Sequence, residues 1–157
     1  MDRDKAYVLG LLHDIGRRVG VVGERHLIEG YRFCMAKGWN DVAKICITHS
    51  YVIQDVETAI GAWDVPETDY VFAKEFIRRA EYDDYDRLVQ LCDSLATADG
   101  FCLLEKRFVD VARRYGVNEH VVARWNATFD IKEDFEKRMG CSIYDTLDGV
   151  RDSTFLS

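Results

Sequence analysis

The chain has 157 residues, 48% of them hydrophobic and 31% charged, with a formal net charge of −7. That length and balance suit one globular domain with its own core and exclude an intrinsically disordered chain. The acidic excess argues against a broad nucleic-acid-binding surface, and neither an apolar run of the ~18 residues a membrane span needs nor a charged-then-apolar leader is visible, so a cytoplasmic protein is expected.

Apolar residues recur at helical spacing along most of the chain, and strand-type alternation is nearly absent. Tyr7, Leu11 and Leu12 lead into His13 as a first helix, which Gly16 ends. Residues 17 to 25 (RRVGVVGER) hold two glycines and read as a loop. His26 opens a second helix through Ile28, Tyr31, Phe33 and Met35, closed by Gly38. Asn40 is placed to cap a third, through Val42, Ile45, Cys46 and His49. Residues 53 to 66 read as a connection, and Pro66 at a first-turn position starts a fourth helix bearing Tyr70, Phe72, Phe76 and Ile77.

The acidic stretch EYDDYD at 81 to 86 reads as a turn with capping aspartates, followed by a helix from Tyr85 to Ala98. Further helices are expected at about 104 to 115, 118 to 128 and 131 to 139, with a short one near Ile143 to Leu147. The expectation is therefore an all-α bundle in a single domain, residues 1 to 157. The five cysteines, Cys34, Cys46, Cys92, Cys102 and Cys141, form no C-x-x-C pair and read as reduced thiols.

The stretch GLLHDIGRR places a histidine and an aspartate side by side at the end of an apolar run, where both are costly to bury without partners. The chain has only four histidines, and three of them, His13, His26 and His49, fall at expected helix ends in the first 49 residues. Asp93 sits within an otherwise apolar helix, LVQLCDSLATADG. Each alone has an ordinary reading: a capping histidine, a turn aspartate, a carboxylate paired with an arginine. Taken together, neutral imidazole nitrogens and carboxylate oxygens suit Zn, Mn, Fe or a similar divalent ion. Asp14 could bridge two ions through its two oxygens, and such a pair activates a water and neutralises a phosphate in an in-line displacement.

AYVLGLLHDIGR resembles the defining motif of the HD superfamily of metal-dependent phosphohydrolases. HLIEGYRF is similar to the stretch bearing the next metal-binding histidine in two-metal members, including the HD-GYP phosphodiesterases. AKICITHS is similar to the helix end bearing the following one, and RLVQLCDSLATADG to the helix that supplies the last aspartate, so the resemblance spans residues 5 to 100. It implies an all-α HD-domain helical bundle that hydrolyses a phosphate ester or nucleotide with a metal-activated water. It also implies His13, Asp14, His26, His49 and Asp93 as metal ligands for one or two divalent ions (Fe, Mn, Zn, Mg or Ni). Arg17 stands where HD-GYP members place a lysine and would contact a phosphate, which a guanidinium can do bidentately. The resemblance departs at one point. Members usually carry another ligand histidine on a helix upstream of the H-D pair, and Met1 comes too soon before His13 for that helix; either the sequence starts inside a longer domain or the expected domain lacks it. An apolar face left uncovered there would favour a homodimer.

Two other classes stay open: a non-catalytic nucleotide- or metal-binding HD module, and a DNA-binding regulator. The latter would use residues 106 to 125 (KRFVDVARRYGVNEHVVARW), which resemble a helix-turn-helix with basic Lys106, Arg107, Arg113, Arg114 and Arg124 and the weaker His120. The plainer reading makes these two packed helices with Val109, Val111, Tyr115, Val121, Val122 and Trp125 as core. Trp39, Trp63, Tyr51, Tyr82 and Tyr85 likewise read first as packing residues and second as base-stacking ones. Asp55 and Glu57 are candidates for a general base or an outer partner to a ligand histidine, or for plain loop residues.

Overall fold

A computed structural model describes residues 1–98 and 100–155, the side chain of Arg151 excepted. The fold is all-α: eight α-helices and a hairpin of two-residue strands among the described residues. No helix among them is long and apolar enough to cross a membrane. The chain divides into two compact units, Met1–Gln90 and Leu91–Ser157.

In the first unit, α1 (Arg3–Leu12) is capped by Asp2, whose side chain accepts from the Lys5 amide at 2.7 Å. Then come a 3-10 turn at Ile15–Val19, α2 (Arg25–Met35), α3 (Asn40–Thr48), a 3-10 turn at Val56–Thr58 and α4 (Glu67–Arg79). The fifth helix, α5 (Asp84–Ser94), carries the boundary between the units. One core cluster joins Leu9, Cys34, Val42, Ala43, Ile45, Cys46 and Val89; a second joins Leu27, Ile28, Ile47, Tyr51, Val56, Ala73 and Ile77. Both α2 and α3 contribute to the two clusters, so they are buried on more than one side and form the centre of this unit.

Two glycines let the backbone close up around them. A Cβ at Gly16 would lie 1.8 Å from the His26 carbonyl oxygen and 2.6 Å from the Gly30 nitrogen. One at Gly30 would meet the Cys46 Sγ at 2.9 Å. The 3-10 turn therefore rests directly on α2, and α2 on α3, at distances any side chain would prevent. Beneath α3 lies Asp86, fully buried, with its charge met from three sides. Its Oδ1 accepts from Thr48 Oγ1 at 2.7 Å; its Oδ2 accepts from Lys44 Nζ at 2.6 Å and the Asp83 amide at 2.8 Å. The capping role expected of the 81 to 86 aspartates is present in Asp83, whose Oδ1 accepts the Tyr85 amide at 2.8 Å and the Asp86 amide at 3.2 Å.

In the second unit, strands β1 (Ala96–Thr97) and β2 (Gly100–Phe101) pair antiparallel. Helices α6 (Leu104–Tyr115) and α7 (Val121–Met139) follow, then a 3-10 turn at Ile143–Asp145 and α8 (Val150–Phe155). Phe108 stacks on Trp125, centroids 5.5 Å apart and planes within 7°, and meets Phe129 edge-on at 5.6 Å. Glu136 pins the next turn by accepting from Ser142 Oγ at 2.9 Å and the Ile143 amide at 2.8 Å.

Several sequence expectations change. Residues 15–19 are a 3-10 turn where the loop from residue 17 was expected, and the first helix stops at Leu12 instead of reaching Gly16. Trp39, not Asn40, holds the cap position of α3, and Pro66 precedes the first turn of α4 instead of lying in it. The helix expected to reach Ala98 stops at Ser94, where the chain turns into the hairpin. The two helices expected over 118 to 139 are one, because no glycine or proline interrupts Val121–Met139; it ends at Gly140, φ 75°. Val109, Tyr115 and Val122, expected in the core, are 56%, 61% and 57% exposed. Phe108 occupies the packed face of α6, so its neighbour Val109 points outward. Trp39 is also exposed, while Tyr51 is buried as expected.

Replacing Asp86 by alanine takes the acceptor from the Thr48 hydroxyl and leaves Lys44 only its longer contact with Asp83, 3.7 Å. It is expected to cost about 3 kcal/mol, measured as a fall in urea midpoint, while Asp41→Ala, which breaks the exposed Lys5–Asp41 pair, leaves the midpoint nearly unchanged.

Candidate metal centre

Three imidazoles reach one carboxylate from three separate helices. His13 is the C-terminal cap of α1 and Asp14 follows it directly. His26 lies in the first turn of α2, and His49 caps the end of α3. Each ring is held the same way. His13 Nδ1 meets the Gly10 carbonyl at 2.6 Å, His26 Nδ1 the Gly23 carbonyl at 2.6 Å, and His49 Nδ1 the Ile45 carbonyl at 3.0 Å. A carbonyl only accepts, so in each ring Nδ1 carries a proton, and in the neutral ring Nε2 presents a lone pair.

Those lone pairs point at Asp14. His26 Nε2 is 3.4 Å and His49 Nε2 3.6 Å from Asp14 Oδ1; His13 Nε2 is 4.0 Å from Oδ2. The rings of His13 and His49 are 4.9 Å apart, those of His26 and His49 5.4 Å. In His13, Asp14 and His49, one ligand atom from each residue lies within 4.8 Å of the others, a group that could hold a metal ion. Asp14 Oδ1 and His26 Nε2 are both buried and have no hydrogen-bond partner among the described residues. Two acceptors facing each other in a buried site leave a place for a cation, which a neutral imidazole with its proton on Nδ1 does not fill.

The electrostatics agree. Burial opposes ionisation of Asp14, but His49 and the Arg17 guanidinium outweigh it and hold the carboxyl well below the usual carboxylate range. Burial pushes His26 down to about 4, so it is neutral near pH 7. Arg17 donates its Nε to Asp14 Oδ2 at 2.6 Å and its Nη1 to the Val22 carbonyl at 3.5 Å, with its side chain half-exposed. Behind the doublet, Cys46 Sγ donates to the Leu12 carbonyl at 3.7 Å.

The structure thus brings together His13, Asp14, Arg17, His26 and His49 within the first unit. Asp93 lies near the end of α5 in the second unit, and its assignment to the site rests on the sequence resemblance. Asp55 and Glu57 are occupied elsewhere. Asp55 accepts the Glu57 amide at 3.0 Å, and Glu57 accepts from the Tyr70 hydroxyl at 2.6 Å and Lys74 Nζ at 3.3 Å.

Sequence reasoning missed the groups that hold the start of α2. Glu24, buried two residues before His26, accepts from the Tyr51 hydroxyl at 3.0 Å, two residues after His49. Asp64 accepts the Gly23 and Arg25 amides, both at 2.9 Å. The only sequence trace is a pair of glycines. A Cβ at Gly61 would lie 2.3 Å from Glu24 Oε1, and one at Gly23 the same distance from the Ala62 carbonyl. Compared with protein-family models, curated proteins and solved structures, the chain matches none.

His26 is held neutral in the fold, about 4 against an ordinary 6.5. As pH falls below 6.5 the unfolded chain takes up this proton first, so stability is lost on acidification and is fully present above 6.5. For the metal-free protein the expected loss from His26 is about 3 kcal/mol between pH 7 and pH 4. Urea unfolding across that range checks it, and His26→Gln, which cannot titrate, should have a correspondingly shallower pH profile.

Proposed function

We propose that the chain is a divalent-metal-dependent phosphohydrolase of the HD type, acting on a phosphate ester or nucleotide. The observation that carries this reading is the arrangement at Asp14: three Nε2 lone pairs facing one carboxylate, with Asp14 Oδ1 and His26 Nε2 buried and without a hydrogen-bond partner. A nitrogen-and-carboxylate donor set suits Mn, Fe, Zn and related ions. His13, Asp14, His26 and His49 would hold the metal, and the resemblance adds Asp93. One or two such ions, when bound, supply a water acidified toward neutral pH and positive charge for a phosphate.

The protein's own groups divide the rest of the work. The carbonyls of Gly10, Gly23 and Ile45 keep every imidazole in the tautomer that offers Nε2, before any ligand arrives. Asp14 turns Oδ1 toward His26 and His49 and Oδ2 toward His13, a disposition suited to bridging two positions. The Arg17 guanidinium, anchored by its Nε to Asp14 and half-exposed, is placed to meet phosphate oxygens beside the carboxylate. His26 and His49 are buried whereas His13 and Asp14 are partly exposed, so a substrate would approach from the side of the H-D doublet.

Purified protein loaded with Mn or Fe is expected to retain metal after gel filtration and to turn over members of a phosphomonoester, phosphodiester and nucleotide panel. Asp14→Asn and His49→Ala should each lower turnover about a thousandfold, equivalent to roughly 4 kcal/mol of barrier. Bound metal without turnover would identify a binding module, and failure to bind any divalent ion would overturn the metal centre itself.

A further inference from the structure

The first turn of α2 is built in an unusual way. It has no capping side chain of its own: Glu24 occupies the cap position and its side chain makes no cap hydrogen bond. Three successive amides at this helix start are taken instead by one short segment elsewhere in the chain. The Gly23 amide donates to Asp64 Oδ2 at 2.9 Å, the Glu24 amide to the Ala62 carbonyl at 2.9 Å, and the Arg25 amide to Asp64 Oδ1 at 2.9 Å. The Glu24 and Arg25 amides are among the donors that a helix start leaves unsatisfied.

The same backbone carries the acceptor for His26. The Gly23 carbonyl that receives His26 Nδ1 belongs to the peptide group whose N–H, on Glu24, is bonded to Ala62. Asp64 brackets that peptide group on both sides. Its plane cannot rotate without breaking bonds to the 62 to 64 segment, and the orientation of the His26 ring follows from it. The approach is close enough to require glycine: a Cβ at Gly23 would sit 2.3 Å from the Ala62 carbonyl oxygen and 3.0 Å from Asp64 Oδ1. The Tyr51–Glu24 bond, 3.0 Å, ties the same turn to the end of α3 that bears His49.

We infer that Asp64 is a positioning residue for the metal centre: by clamping the Gly23–Arg25 amides it fixes the Gly23 carbonyl, and through it the His26 tautomer that presents Nε2 to Asp14. The functional meaning of this inference rests on the metal-centre reading above, but the tautomer claim holds for the metal-free protein as well. Asp64 acts at one remove, since it bonds the helix start and not the imidazole.

The test uses the full chain. Long-range proton–nitrogen NMR on the metal-free protein should show His26 as the Nδ1–H tautomer in the wild type and as a tautomer mixture in Asp64→Ala. Titration with Mn2+ alone should show about a tenfold loss of affinity in Asp64→Ala. Asp2→Ala serves as the control. It removes a side-chain cap from the opposite end of α1 and should lower thermal stability comparably, while leaving the His26 tautomer and Mn2+ affinity unchanged. Should Asp64→Ala fail to fold, Asp64→Asn keeps one acceptor oxygen and should give an intermediate shift in both readouts. An unaltered His26 tautomer in the folded variants would overturn the inference, whatever their stability. A wild type that binds no Mn2+ would instead overturn the metal-centre reading, with the tautomer measurement still deciding the role of Asp64.

Discussion

Everything distinctive in the first unit turns on one electrostatic situation. A buried carboxylate oxygen faces imidazole nitrogens that have already committed their protons to backbone carbonyls. In water each of these groups would be solvated; in this interior they face one another as acceptors. Such an arrangement is unfavourable as it stands and becomes favourable when a cation lies among them. The tautomer is the decisive detail. Were the rings turned so that Nε2 carried the proton, the same four residues would make an ordinary hydrogen-bonded cluster with no place for an ion.

Keeping such a cluster in place demands a rigid surround, and the fold supplies it with unlike devices. Gly16 and Gly30 remove side chains where the H-D turn, α2 and α3 stack, so the three histidine-bearing elements approach at backbone distance. Asp86, Lys44 and Thr48 form a fully satisfied polar anchor between α3 and α5, one residue short of His49. Loop 61 to 64 and the Tyr51–Glu24 bond secure α2 just before His26. Each histidine thus stands next to a different anchor. The metal centre proposed above would be preorganised by these contacts, its ordering cost falling on folding and not on ligand capture.

The second unit is held by different means. Stacked Phe108 and Trp125, the edge contact with Phe129, and the Glu136 clasp on the Ser142 turn make a small aromatic and polar core. Its exposed Val109 follows from that choice: on a helix whose Phe108 packs inward, the next position faces outward. The basic residues of this region are largely engaged locally, with Arg114 on Asp110 at 2.7 Å and Lys106 on the Ser153 carbonyl.

What the sequence by itself determined was the helical class, read from apolar spacing; from rarity and position it also singled out the histidines and the aspartate that the fold brings together. Four histidines in the whole chain, three of them at early helix ends beside an H-D doublet, made a legible signal because imidazoles at such places need a reason to be there. Helix limits set by local chemistry were partly legible: Asp83 capped as expected and Leu104–Tyr115 ran as expected, whereas the stop at Ser94 depends on hairpin pairing that spacing does not encode. Tertiary structure alone decided which nitrogen of each ring faces Asp14, because that depends on a carbonyl's direction. It alone paired Asp64 with amides 39 and 41 residues away and Tyr51 with Glu24, 27 residues apart. Side chains that act on a distant peptide group leave no period and no motif, since the contact exists only after the chain has folded back on itself.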